Sequence, residues 1–302
     1  MDTKIIKIDE NKLDRNLIEE AAQIIKKGGL VAFPTETVYG LGANGLDEKA
    51  VKKIFIAKGR PQDNPLILHV HSTDQVKELV EEIPPVAKLC MEKFWPGPLT
   101  IILKKSPKVP EVISAGLDTV AIRMPENNIA LDLIKTSNTP IAAPSANTSG
   151  KPSPTSADHV IEDLMGKVDM IVDGGNTGIG LESTVLDLST DIPMILRPGG
   201  ITLEDLSKFI PNISIDSSII KEDEKIVPKS PGQKYRHYAP KAEMLLFSGQ
   251  VDSIVEAIIV NTEKYTREGK RVGIICTDET KNFYKEGLII SMGSRNNKES
   301  IA

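Results

Sequence analysis

Much of what would place this chain quickly is missing from it. There are two cysteines in 302 residues, Cys90 and Cys276, far apart and in apolar or helical surroundings. Two cysteines cannot build a disulfide framework, and without a C-x-x-C pair there is no zinc-ligand spacing. They fit a reducing, cytoplasmic setting. No apolar run approaches ~20 residues, so nothing is expected to span a membrane. The mixed-charge stretch from Met1 to Arg15 is unlike a secretory signal, so the Asn147-Thr148-Ser149 sequon carries no weight. Net charge is −5, which excludes a global basic footprint for long nucleic acid and leaves only a local patch for a short RNA. The G-x-x-x-x-G-K-[ST] phosphate loop is also absent.

What is present describes a soluble globular protein. The chain is 40% apolar and 26% charged, and its length suits one large domain with a smaller one after it. Leu13, Leu17, Ile18, Ala21, Ala22, Ile24 and Ile25 recur at helical spacing, closed by Gly28-Gly29. Asp47 caps a second helix with Ala50, Val51, Ile54, Phe55 and Ala57 on its apolar face. Further helices are expected around Val76–Val80, 129–135, 201–209 and 254–265. Strands are expected at 30–33, 65–70, 99–103, 119–123, 141–143, 170–172, 184–188 and 194–196. Such alternation, with hairpin-length gaps late on, predicts an α/β domain with a mixed sheet over residues 1–210. Residues 211–241 read as a linker carrying four prolines, with an unusually aromatic and cationic segment from Ser230 to Pro240. Residues 242–302 read as strand, helix, strand (Met244–Phe247, 254–265, Val272–Cys276), with a further strand at Ile289–Met292.

Two short stretches carry the chemistry. Lys58-Gly59-Arg60 closes the second helix, with both cations beyond its apolar face, and Ser145-Ala146-Asn147 follows a buried strand. Arg supplies a planar fork for phosphate oxygens, Lys a point charge, and Ser and Asn short hydrogen bonds. Together they suit a polyphosphate held without a phosphate loop; taken singly, the cations are ordinary solvated helix-end charges. Gly40-Leu41-Gly42-Ala43-Asn44-Gly45 matches G-x-G-x-x-G, but the next strand ends in His71-Ser72 with no acid for a ribose. Those glycines are read instead as a tight turn beside a ligand. The segment from Pro34 to Gly40 is dense in hydrogen-bonding groups just after a strand, either as a ligand loop or as a self-capped turn. His69 alternates with Leu66, Leu68 and Val70, as a core histidine or a site group would. Arg123 is a surface cation or, with Thr119 four residues earlier, a clamp for a carboxylate.

In order and spacing, eight blocks resemble the YrdC-like threonylcarbamoyl-AMP synthase family: 33–41, 58–61, 64–66, 95–100, 123–125, 143–147, 182–185 and 197–199. Residues 230–240 resemble the linker of its longer, two-domain form. The resemblance implies a twisted mixed sheet around a concave, positively charged cavity, followed by a small Rossmann-like domain. It implies an enzyme that joins L-threonine, bicarbonate (or CO2) and ATP, with Mg2+ accompanying the ATP, and releases pyrophosphate and threonylcarbamoyl-AMP. A downstream threonylcarbamoyl transferase would then modify tRNA at position 37, with transient tRNA contact. By position, Lys58, Arg60, Asn64, Thr119, Ser145, Ser153, Arg197 and Tyr235 would hold ATP, with Lys58, Arg60, Ser145 and Asn147 catalytic. Thr37, His69, Arg123, Ala143 and Ser183 would hold threonine, and the linker would act as a lid. The family's last domain runs further than this chain, which reads as shortened at Ala302. An RNA-binding or ribosome-maturation module using the same surface is the alternative. A hydrogenase-maturing carbamoyltransferase would need zinc-finger cysteines that are lacking.

Overall fold

The computed structural model describes residues 2–216 and 242–297. Tyr235 and most of the linker expected at 211–241 lie outside them. The chain divides into two compact units, Met1–Ala239 and Pro240–Ala302.

In the first unit the strands are β1 (Lys4–Lys7), β2 (Val31–Phe33), β3 (Gly40–Asn44), β4 (Ile67–His69), β5 (Leu99–Lys104) and β6 (Thr119–Arg123). They continue with β7 (Ile141–Ala142), β8 (Met170–Asp173), β9 (Thr184–Asp187), β10 (Met194–Arg197) and β11 (Ser214–Ile215). Among the described residues all eleven form one sheet, in the order β1-β8-β2-β3-β7-β4-β6-β5-β9-β10-β11. The pairing is mixed as expected: β4 runs parallel to β6, β5 antiparallel to β6, and β9 parallel to β5. The helices are α1 (Arg15–Lys26), α2 (Glu48–Lys58), α3 (Thr73–Lys77), α4 (Pro85–Phe94), α5 (Glu111–Ser114), α6 (Asn128–Ser137), α7 (Ala157–Leu164) and α8 (Leu203–Ser207).

One face of the sheet is fully packed. Ala32, Leu41, Leu68, Leu99, Ile101 and Ile122 meet the apolar sides of α2, α4, α5 and α7 there. On the other face α1 and α6 cover only one half, burying Val31, Phe33, Ile141, Met170 and Val172. Over the other half lies a small apolar cluster made wholly of strand residues, Ile67, Ile102, Ala121, Val185 and Leu196, with Met194 beside it. The side chains of one strand face alternate with period two, so His69, Thr100, Arg123 and Thr119 share the half-face of this strand-borne cluster.

Three expectations for this unit are corrected. Gly40 to Asn44 is a strand rather than a turn, pairing with β2 and β7. A Cβ on Gly42 would stand 2.7 Å from the Phe33 ring and 2.8 Å from Ile141, so close packing demands the glycine. Leu79 and Val80 are buried but lie past the end of α3. The first unit does not end at residue 210, because Ser214–Ile215 adds an edge strand to β10.

The second unit contains α9 (Val251–Arg267), β12 (Gly273–Cys276), a 3-10 turn (Lys281–Phe283) and β13 (Leu288–Ser291). β12 and β13 are parallel, and Val255, Ile274, Cys276 and Tyr284 form their small core. Met244 to Phe247 is not a strand: among the described residues it has no pairing partner, and Met244, Leu245 and Leu246 are exposed.

Candidate active site

The two stretches singled out in the sequence meet. Asp47 caps α2, accepting from the Lys49 and Ala50 backbone N–H groups. The helix stops at Gly59, whose left-handed φ of 61° turns the chain so that Arg60 N–H donates to the Phe55 carbonyl. Lys58, in the last turn, is 2% exposed. Its ammonium donates to the Ser145 carbonyl (2.5 Å), the Asn147 carbonyl (2.6 Å) and Asn147 Oδ1 (3.3 Å). Ser145 Oγ donates to the same Oδ1 at 2.5 Å, and Asn147 Nδ2 donates to the Thr148 and Lys151 carbonyls. Burial, then the neighbouring Arg60, pulls the Lys58 pKa down to about 7. Lys58 is therefore not a free point charge beyond the apolar face of its helix. It is a buried tie that fixes the turn after β7. Arg60 is half-buried and reaches the Asn64 and Pro65 carbonyls through Nη2.

The loop from Pro34 to Tyr39 is closed against the same turn. Leu41 N–H donates to the Pro144 carbonyl, and Ala146 N–H to that of Tyr39. Ile179 and Gly180 N–H groups donate to the Glu36 and Thr37 carbonyls. Thr35 Oγ1 donates to the Val38 carbonyl, so in the 2.9 Å contact between the two hydroxyls it is Thr37 that donates. Tyr39 is wholly buried, and its hydroxyl is pushed up to about 12 by that burial.

A second group of residues forms a row across five strands. His69 of β4 sits beside Arg123 of β6, Arg123 beside Thr100 of β5, Thr100 beside Val185 of β9, and Val185 beside Arg197 of β10. The Thr100 and Ser183 hydroxyls lie 2.7 Å apart, and Arg197 donates to the Ser183 carbonyl and hydroxyl. Arg123 Nε donates to the Gly97 carbonyl, while Nη2 lies 2.6 Å from Glu36 Oε1. His69 is 4% exposed with Phe33 edge-on to its ring. Burial, then Arg123, drives its pKa down to about 3, so the imidazole is neutral.

The remaining expected residues scatter around these two groups. Asn64 is fully buried with neither side-chain atom hydrogen-bonded. Ala143 is buried beside Gly40, its N–H on the Ile67 carbonyl. Ser153 Oγ donates to Glu182 at 2.8 Å. Thr119 is not a partner for Arg123: four residues of strand separate their backbones by about 13 Å, so they cannot grip one carboxylate together. Among the described residues no cluster of acids, histidines and cysteines could cage a metal ion. Residues not foreseen are Glu36, Thr35 and Thr100. Glu36 lies within a stretch singled out for its polarity, but its pairing with Arg123, 87 positions on, has no local signature.

Several buried side-chain atoms complete no aligned hydrogen bond and are candidate ligand contacts. They include Glu36 Oε2, His69 Nδ1 and both Asn64 side-chain atoms, while Glu36 Oε1 and Arg123 Nη2 meet each other as an ion pair without an aligned hydrogen bond.

Comparison with known proteins shows the family. Residues 23–199 match the Sua5–YciO–YrdC family, described as telomere recombination, and residues 201–302 match the C-terminal domain of threonylcarbamoyl-AMP synthase. The threonylcarbamoyl-AMP synthase of Pyrococcus abyssi is 55% identical over 273 residues, covering 90% of this chain and 80% of that protein. That of Bacillus subtilis is 48% identical over 295 residues, covering 97% and 84%. The crystal structure of P. abyssi Sua5 complexed with L-threonine superposes with a TM-score of 0.93 at 51% identity, over 99% of this chain and 86% of that one.

Proposed function

From a chain that belongs to the Sua5–YciO–YrdC family and carries the synthase C-terminal domain, we infer a threonylcarbamoyl-AMP synthase: L-threonine, bicarbonate and ATP give threonylcarbamoyl-AMP and pyrophosphate. One observation carries the reading. Buried polar groups form two clusters: the Lys58–Arg60 and Ser145–Asn147 turn suits phosphate, and the row of His69, Arg123, Thr100 and Ser183 suits a small amino acid.

The roles follow from the chemistry of each group. Arg60 and Asn64 take phosphate oxygens, and Lys58 holds Ser145 and Asn147 in place to do the same. Thr119, Ser153 and Arg197 hold the nucleotide, with the strand-borne apolar cluster as a floor for its base and sugar. Tyr235, also assigned to ATP, lies outside the described residues. Thr37, His69, Arg123, Ala143 and Ser183 hold threonine: Arg123 receives the carboxylate, and neutral His69 lines the pocket without adding charge.

The threonine amine must first become a carbamate. A carbamate oxygen then attacks the α-phosphorus as pyrophosphate leaves. Charge gathers on the phosphoryl oxygens, so fixed cations and positioning supply most of the acceleration. With no acidic cage among the described residues, Mg2+ fits only as a partner of the ATP phosphates, alongside Asn64 and Ser145 oxygens, where it would offset charge on the leaving group. The product is a labile mixed anhydride, consumed by a threonylcarbamoyl transferase acting at tRNA position 37. Among the described residues no helix is long and apolar enough to cross a membrane.

The test is mass spectrometry of the protein with ATP, Mg2+, bicarbonate and each amino acid in turn. Threonine alone should yield the carbamoyl-adenylate together with pyrophosphate. Salt-sensitive RNA affinity without any turnover would overturn the enzyme in favour of an RNA-binding module.

A further inference from the structure

We propose that Glu36 is the subsite for the α-ammonium group of the amino-acid substrate, working as one half of a charge pair with Arg123. The proposal rests on the threonine reading above and adds a residue and a charge rule to it.

Glu36 and Arg123 have side chains 10% and 4% exposed, and their charged atoms approach to 2.6 Å. A buried Arg–carboxylate pair serving only the fold is normally hydrogen-bonded, often bidentate, because desolvation is otherwise uncompensated. This one is not. Neither Glu36 oxygen completes a hydrogen bond, and neither does Arg123 Nη2. Arg123 spends Nε on the Gly97 carbonyl instead, which fixes the guanidinium. The Glu36 backbone is likewise pinned by the Ile179 N–H at 2.8 Å. Two opposite charges thus stand in ion-pair contact at 2.6 Å without an aligned hydrogen bond between them, on the strand face that also carries His69 and Thr100.

An α-amino acid is the complementary object. It carries a carboxylate and an ammonium on one carbon, and each would complete bonds the protein pair leaves open: carboxylate to Arg123 Nη2, ammonium to the Glu36 oxygens. Thr37, the next residue, and His69, beside Arg123 in the sheet, bound the same spot. A carboxylate at Glu36 also rejects substrates lacking a positive amine, since a desolvated carboxylate left unpaired is costly.

The competing reading of the same contact is that Glu36 merely occupies Arg123 and must be displaced. The two readings differ in sign. Calorimetry would measure binding of L-threonine, and of 3-hydroxybutanoate (threonine without its amine), to wild-type protein and to Glu36→Gln. The proposal expects wild type to prefer threonine and Glu36→Gln to lose about 10- to 100-fold in threonine affinity, the worth of one charge-assisted contact. The same variant should bind 3-hydroxybutanoate as well as wild type or better, and ATP equally well. Threonine affinity unchanged or improved in Glu36→Gln overturns the proposal and makes Glu36 a plug. Should Glu36→Gln fail to fold, Glu36→Asp keeps the charge and should retain the preference for threonine; equal binding of the two ligands by wild type overturns it regardless. Absence of any threonine binding by wild type would instead defeat the functional reading.

Discussion

The ammonium of Lys58 lies 2.6 Å from the backbone carbonyl of Asn147, tying the last turn of α2 to the turn that follows β7. Ser149 N–H returns a bond to the Lys58 carbonyl, so the two segments grip each other through side chain and backbone. A lysine used in this way is structural before it is catalytic.

Lys58→Met should therefore unfold more readily, because it strands two buried carbonyls. Each unmet acceptor costs about 1–3 kcal/mol, and a lower denaturant midpoint with unchanged m would register it. Arg60→Ala should behave differently. Half-buried at the start of a loop, it should leave the midpoint nearly unchanged and raise the KM for ATP, by about 10- to 100-fold for one charge-assisted contact. Equal destabilisation by both substitutions would contradict the assignment.

Threonine should be turned over in strong preference to valine. The Thr37 and Ser183 hydroxyls, both assigned above to the threonine pocket, are buried and linked to Thr35 and Thr100 respectively. A site prepared for a substrate hydroxyl penalises its absence by up to ~10⁴-fold. Comparison of kcat/KM for the two amino acids checks this, and equal values would remove Thr37 and Ser183 from the pocket.

The sequence was legible where local physics decides. Asp47 announces a helix start that the structure shows, and Lys58-Gly59-Arg60 announces its end. It was misleading where tertiary packing decides. Gly40 and Gly42 look like turn formers, yet they lie in a strand because Phe33 and Ile141 leave no room for a Cβ at position 42. α4 was not foreseen, although its start at Pro84-Pro85 is a permitted one, since proline is well tolerated in the first helical turn. The candidate site's two halves came from motif order, but Lys58's burial and Glu36's pairing depend on partners 87 to 89 residues away.

Acid should weaken the fold through His69. Its folded pKa is about 3, below the ordinary 6.5, so between those values the unfolded chain binds the proton the folded one refuses. Stability from this group is complete above pH 6.5 and falls away as pH drops toward 3. Denaturant melts between pH 7 and 4 should show a steeper loss for wild type than for His69→Gln. The His69 ring resonances should also show no titration between pH 5 and 8; a midpoint near 6.5 would mean the ring is solvated.

Gly199→Ala should damage the site through the backbone alone. A Cβ at Gly199 would lie 2.3 Å from the Glu182 carbonyl oxygen and 2.4 Å from Thr184 N, with Ser183 between them. No flexible side chain can yield there, so the 182–184 segment must move. That segment carries the Ser183 carbonyl and hydroxyl that accept from Arg197, and the Thr184 hydroxyl that donates to the Ile201 carbonyl. Overpacking of this kind costs about 1–3 kcal/mol. The variant should lose stability in that range and, because Ser183 and Arg197 move together, weaken both threonine and ATP. Ser183→Ala, which leaves the backbone in place, should weaken threonine more than ATP. A Gly199→Ala enzyme with wild-type KM values for both substrates would show that the 182–184 segment does not line the site.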